Sequence, residues 1–215
     1  MKDSTAMVYV IDDYSSVRRA IKRLIESVGI QVESFGSAQE FMSLNNRPDV
    51  PTCLVVDIRL PGISGLDFQQ ELTKAGIHIP IIFISAHGDV PMTVRAMKAG
   101  AVEFLTKPFR DQDLLDAIQL GLEKDRAGRQ REAEIAVLED RFESLTQRER
   151  EVITMVVEGK LNKQIAAEIG ITENTVKVHR SRAMEKMQAQ SLADLVRMVE
   201  RLQIPTHTIQ RSKMG

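Results

Sequence analysis

A chain of 215 residues has room for one large domain or two small ones, each with a core of its own. Hydrophobic residues at 43% and charged residues at 27% are those of an ordinary globular protein, with no apolar run long enough to cross a bilayer. The net charge of −1 hides an asymmetry: residues 1–122 carry a net −3, residues 123–145 a net −2 and residues 146–215 a net +4. An acidic first part and a basic last part predict two domains with different partners, nucleic acid for the last. The N-terminal apolar stretch, Ala6 to Ile11, is too short for a signal peptide and runs directly into Asp12 and Asp13. Cys53, the single cysteine, lies in an apolar run and has no partner for an internal disulfide, so a cytoplasmic location with no membrane contact is expected.

In chain order, five short apolar runs come first: Met7–Ile11, Gln31–Phe35, Cys53–Val56, Ile81–Ile84 and Val102–Leu105. Amphipathic segments near 15–28, 37–44, 65–75, 90–99 and 110–122 alternate with them. Ser15, Ser37 and Asp111 are candidate helix caps, Pro91 suits a first turn, and Gly29, Gly76 and Gly100 suit C-terminal exits. Strict β-α alternation predicts an α/β fold: a doubly wound five-strand parallel sheet covered by helices on both faces.

The polar residues just after the apolar runs then gather at the carboxyl edge of that sheet, where open α/β folds hold their ligands. They are Asp12 and Asp13 after the first run, Asp57 after the third, Ser85 after the fourth, and Thr106-Lys107-Pro108 after the fifth. Singly, each has an ordinary explanation as a cap, a loop serine or a solvated lysine. Together they place three carboxylates, an ammonium and a hydroxyl at one edge. Converging carboxylates repel and call for a cation, and a small oxygen-ligand site with room for water and a phosphoryl oxygen favours Mg²⁺. These are the parts for phosphoryl transfer to a side chain, with Asp57 as the nucleophile.

In order and spacing, Asp12-Asp13, Asp57, Ser85 and Lys107-Pro108 resemble the receiver domain of bacterial two-component response regulators, over about residues 5–122. The resemblance implies that Asp57 accepts a phosphoryl group from a sensor histidine kinase. It implies that Asp13 and Asp57 bind Mg²⁺ directly, Asp12 through water, and that the backbone carbonyl of Arg59 fills a further position. Lys107 would pair with the phosphoryl oxygens across a cis Lys107–Pro108 bond, Ser85 would hydrogen-bond the phosphoryl group, and Phe104 would be the aromatic switch. Many receivers carry Tyr where this chain has Phe104.

Residues 123–142 are rich in Glu, Arg, Lys, Gln and Ala, without proline. They predict a helical linker, either one long helix or two broken near Gly128. Apolar residues return at Ile135, Leu138, Phe142 and Leu145 with helical spacing.

From Leu145 the pattern is wholly helical. Thr146 with Glu149 forms a capping-box signature, Gly159 ends the first helix, Asn162 is a candidate cap for a short second helix ending at Gly170, and Thr172 and Ser191 cap a third and fourth. The tight Gly170-Ile171-Thr172 turn between two helices predicts a helix-turn-helix. On the third helix Val176, Ala183 and Met187 share a core stripe, while Asn174, Lys177, Val178 and Ser181 lie opposite and face the major groove, with Thr175 and Arg182 beside them. Arg180 lies nearer the core stripe, its stem packing and its head reaching for a phosphate. His179 is expected to pack or touch phosphate.

Residues 143–204 resemble the LuxR-type helix-turn-helix domain, and with the receiver in front the chain resembles a response regulator of the NarL/FixJ group. The resemblance implies double-stranded DNA as a partner and a homodimer formed on phosphorylation or on DNA. The last helix would pair two copies through Leu192, Leu195, Val196 and Val199. RNA polymerase is a further candidate partner, and residues 205–215 are expected to be a flexible tail. An aspartate nucleophile with Mg²⁺ and lysine also describes haloacid-dehalogenase-like phosphohydrolases, but the general-acid Asp those enzymes carry two residues after the nucleophile is Arg59 here. A flavodoxin-like electron carrier would share the sheet, yet Asp12-Asp13-Tyr14 would repel the phosphate of FMN.

Overall fold

A computed structural model of the chain describes residues 6–44, 48–86 and 88–204, so the expected tail lies outside the described residues. Residues up to Arg129 form one compact unit and those from Gln130 another.

The first unit alternates strand and helix as the sequence predicts: β1 Met7–Ile11, α1 Ser15–Ser27, β2 Gln31–Phe35, α2 Ala38–Met42, β3 Thr52–Asp57, α3 Gly65–Lys74, β4 Ile81–Ser85, α4 Val90–Lys98 and β5 Glu103–Thr106. The five strands are parallel in the order β2-β1-β3-β4-β5, so the chain reverses its direction of winding between β1 and β3. Every residue of β3 is buried, as a central strand covered on both faces must be. Alternation along the strands divides the core in two. Tyr9, Ile11, Leu54, Val56 and Phe83 face Phe41, Phe68, Leu72 and Ala96 of α2, α3 and α4. Val8, Val10, Cys53, Val55, Ile82 and Ile84 face Ile21 and Ile25 of α1 and Leu114, Ile118 and Leu122 of the helix that follows β5. On the first face Tyr9, Phe35, Phe41 and Phe68 meet mostly edge to face, with centroids 5.3–5.9 Å apart.

That following helix, α5, runs from Asp111 to Glu143 without a break. Of the two arrangements open at the linker, the single long helix is the one formed. Gly128 is helical with open space around it, so its cost is only the ~1 kcal/mol of a glycine in a helix, too little to break a helix anchored on both sides.

The second unit holds the end of α5 and four further helices: α6 Gln147–Val157, α7 Asn162–Ile169, α8 Glu173–Met187 and α9 Leu192–Arg201. Their core is Val152, Ile153, Val156, Ile165, Val176, Ala183, Met187, Leu195 and Val199, joined by Leu145 at the start of the domain. Gly170 closes α7 with φ of 70°, the left-handed conformation that the turn into α8 requires. The Thr146–Glu149 capping box is present, and the buried Glu149 carboxylate also accepts from Lys186 Nζ at 2.7 Å. Three expected caps are corrected. Asp111 is the first helical residue of α5 and not its cap, and the Asp113 N–H donates to the Arg110 carbonyl at 3.1 Å. Ser15 lies inside α1, whose entry is fixed instead by the Tyr14 N–H donating to Asp12 Oδ1 at 2.8 Å. Asn162 is the first helical residue of α7, where Gln164 Oε1 accepts from the Leu161 N–H at 2.8 Å.

Glu149 is pulled in two directions. Burial raises its carboxyl, but Lys186 and the Thr146 N–H outweigh burial and hold it below the usual range. A carboxylate depressed in the folded state stabilises the fold above its unfolded pKa and loses that contribution as pH falls through the folded one. Glu149→Ala is therefore expected to cost ~1–3 kcal/mol at neutral pH. The gap to wild type should close in acid, as read by urea unfolding followed by circular dichroism; a gap that persists unchanged in acid would refute the ionic contribution.

Two glycines give a matched pair. A Cβ on Gly65 would lie 2.7 Å from the Asp57 carbonyl oxygen and 3.1 Å from the Phe83 ring, whereas one on Gly128 would meet nothing within 4 Å. Gly65→Ala should destabilise the receiver by ~1–3 kcal/mol and Gly128→Ala should stabilise by about 0.5–1 kcal/mol. Urea midpoints of the two variants moving in the same direction would contradict this.

Candidate functional site: an acidic sheet edge and a reading helix

Strand register builds the first site. Ile11 pairs with Val56, so the next residue on each strand, Asp12 and Asp57, fall side by side at the carboxyl edge. Asp57 pairs with Ile84, and Ser85 with Thr106, which brings Ser85 and Lys107 to the same edge. The Lys107 N–H donates to the Ser85 carbonyl at 2.7 Å, and the Lys107–Pro108 bond is cis, as the resemblance implies.

Lys107 Nζ lies 2.7 Å from Asp12 Oδ2 and 2.5 Å from Asp57 Oδ2. Asp12 and Asp57 are 0% and 5% exposed, while Asp13 is open to water. Carboxylate oxygens of Asp12, Asp13 and Asp57 all lie within 4.8 Å of one another. Burial pushes the Asp12 carboxyl up, against the pull of Lys107 and the Tyr14 N–H. Burial alone would lower Lys107, but its hydrogen bonds to Asp12 and Asp57 prevail and raise it, so the ammonium keeps its proton. One ammonium facing three carboxylates leaves an excess of negative charge with one side exposed. That donor set suits a hard divalent cation of the Mg²⁺ kind.

The Arg59 N–H donates to Asp57 Oδ1 at 2.8 Å, fixing the carboxylate plane, and the Arg59 side chain is exposed. Ser85 is buried at the end of β4. Phe104 is buried on β5, and the Gly88 backbone sits so close over it that a Cβ there would be 2.8 Å from the ring. Two contributors escaped the sequence analysis. Gly65 lets α3 begin against the Asp57 carbonyl, and Arg18 Nη1 donates to the Asp12 carbonyl at 2.5 Å, bracing the loop after β1. An arginine six residues beyond an acidic pair carries no recognisable pattern, because helix geometry alone turns it back.

The second site is the outer face of α8. Asn174, Lys177, Val178, Ser181 and Arg182 are exposed, and Val176, Ala183 and Met187 are buried opposite them. Thr175 is half-buried and tied to the cap, its hydroxyl 2.8 Å from that of Thr172. Lys177 Nζ rests 3.3 Å from Glu173, an exposed pair worth little. Arg180 is half-buried with Nη1 3.5 Å from Asn162 Oδ1. Half-buried His179 packs with its Nδ1 enclosed.

The expected pairing set on α9 needs correction. Leu195 and Val199 are 0% and 3% exposed inside the helical core, so they hold α9 to its own domain. Only Leu192, exposed, and Val196, half-buried, remain on the outside.

The model of the response regulator receiver domain matches residues 8–119, and that of the luxR family of bacterial regulatory proteins matches residues 143–199. Nodulation protein W of Bradyrhizobium diazoefficiens is 52% identical over 209 residues, covering 97% of this chain and 92% of its own. The response regulator protein TodT of Pseudomonas putida is 47% identical, covering 94% of this chain and 88% of its own. The solved structure of the response regulator StyR superposes with a TM-score of 0.78 at 50% identity, over 92% of this chain and all of that one. Full-length FixJ from B. japonicum superposes with a TM-score of 0.56 at 36% identity, over 94% of this chain and 99% of its own. The chain therefore belongs to the response regulators of the NarL/FixJ type, transcriptional regulators in which a phosphorylation-controlled receiver is joined to a LuxR-type DNA-binding domain.

Proposed function

We propose that Asp57 is the phosphoacceptor of this regulator and that the outer face of α8 reads double-stranded DNA. The observation that carries the first part is the Lys107 ammonium held between Asp57 and Asp12 at a sheet edge where three carboxylates converge. In transfer from the phosphohistidine of a sensor kinase, the P–N bond breaks as an Asp57 oxygen forms the new P–O bond, and the imidazole leaves with a proton. Lys107 then neutralises phosphoryl oxygens, and Ser85 donates its hydroxyl to another. Asp13 and Asp57 would hold Mg²⁺ directly, with Asp12 through water and the Arg59 carbonyl as a further ligand. When bound, the cation would neutralise charge that develops on the transferring group.

The phosphorylated side chain carries about −1.5 to −2 charge in place of one. Inward movement of Ser85 frees space beside Phe104, whose ring follows, and the α4–β5–α5 surface changes shape. The output is a homodimer on DNA, with Leu192 and Val196 the residues of α9 available to the second copy and RNA polymerase as the downstream partner. The exposed Arg59 where a phosphohydrolase needs a general acid supports a regulator that turns over no outside substrate. No helix among the described residues is long and apolar enough to cross a membrane, and a DNA ligand together with a single buried cysteine supports action in the cytoplasm.

Asp57→Asn is expected to abolish incorporation of acid-labile, hydroxylamine-sensitive phosphate from acetyl phosphate with Mg²⁺. Undiminished labelling of that variant would move the acceptor elsewhere. Lys177→Ala should weaken specific DNA binding by ~1–3 kcal/mol if the side chain reads a base edge. If it touches phosphate instead, the loss should be even across sequences with a shallower salt dependence; unchanged binding on specific and random duplexes would take Lys177 out of the interface.

A further inference from the structure

The root of the linker helix is fastened to the receiver by groups that the charged composition of the linker conceals. Past Leu122, the last buried apolar residue α5 lays on the sheet, a helix of this composition would ordinarily be solvated all round. It is not. Asp125 is only 8% exposed, and its Oδ2 accepts from the backbone N–H of Thr52 at 2.8 Å and from Arg129 Nε at 2.6 Å. Arg129 Nη1 in turn lies 2.5 Å from Asp49, just before β3. Thr52 is the first residue of β3 and is itself buried, so the Asp125 carboxylate satisfies a donor that water does not reach. One turn earlier, helix and strand are in direct contact: a Cβ on Gly121 would stand 3.1 Å from the Cβ of Cys53.

We propose that Asp125 and Arg129 latch α5 to the start of β3, so that the helix as far as Arg129 moves as part of the receiver and any bending of the linker falls beyond it. Asp125 is the bolt, because its bonds are buried. Arg129 braces it, and the Asp49 carboxylate, at 99% exposed, adds little. The boundary between the two compact units falls immediately after Arg129, where the latch ends. β3 thus carries Asp57 at one end and the anchor of the linker at the other. The latch stands on these contacts whichever residue accepts the phosphoryl group.

Cys53, the only cysteine in the chain, lies under α5 and is a built-in reporter of the contact. In the full-length protein, Asp125→Ala is expected to speed modification of Cys53 by Ellman's reagent by about tenfold or more. Tryptic cleavage after Arg126 should accelerate with it, while Asp49→Ala stays near wild type. Asp125→Asn keeps an oxygen acceptor for Thr52 and loses the charge facing Arg129, so it should fall between, and it carries the test if the alanine variant does not fold. Rates indistinguishable from wild type in the Asp125 variants would overturn the latch. So would an acceleration that merely equals the change in the global unfolding equilibrium measured in urea, since α5 would then lift only when the whole receiver unfolds.

Discussion

Everything at the carboxyl edge depends on one ammonium group. Without Lys107, Asp12 and Asp57 would be two nearly inaccessible carboxylates side by side with Asp13 close at hand, and charge repulsion would have to be relieved by protonation or by opening the edge. With Lys107 in contact with both, its ammonium offsets part of that repulsion, and three carboxylates around one ammonium still leave an excess of negative charge. On the proposed reading a divalent cation would neutralise that residual charge, and the same lysine would pair with the phosphoryl oxygens.

The balance is set by backbone register as much as by side chains. A one-residue slip of β1 against β3 would turn Asp12 away from Asp57, and the alternation that sends Tyr9 and Ile11 to one face and Val8 and Val10 to the other forbids that slip. The apolar core therefore enforces the polar geometry. Close approaches complete it: α3 begins at Gly65 because only a residue without a Cβ fits against the Asp57 carbonyl, and Gly88 lies on the Phe104 ring for the same reason.

What could be read from sequence alone follows from what is periodic. Strand-helix alternation, strand ends bearing Asp12, Asp57, Ser85 and Lys107, and the capping box at Thr146 are local patterns, and each is present in the fold. Asp125 was illegible because its partner is a backbone N–H seventy-three residues away, and no side-chain pattern announces a backbone donor. The division of labour on α9 was illegible for a different reason. An apolar stripe records which face avoids water, not whether its own domain or a second copy covers it, so Leu195 and Val199 read the same as pairing residues until the core is seen around them. The joint at Gly128 was undecidable because a glycine weighs only modestly against a helix held at both ends.

The helical domain also has to hold α8, the helix proposed to read DNA, chiefly by one side. Along its length α8 is gripped by Val176, Ala183 and Met187, an apolar stripe that fixes rotation about the helix axis. At its far end Lys186 is tied to Glu149, the same carboxylate that caps α6, which fixes the helix against sliding. Polar contacts also hold the near end, at the Thr172–Thr175 cap and between Arg180 and Asn162, while Asn174, Lys177, Val178 and Ser181 stand exposed among them. Lys177 is engaged only by the exposed Glu173 at 3.3 Å, a contact weak enough to exchange for a phosphate or a base edge. The positive charge of this domain is likewise unevenly committed: Lys186 is half-buried and paired with the buried Glu149, whereas Lys177 and Arg182 stay exposed, where counterion release would make them effective on the proposed DNA face.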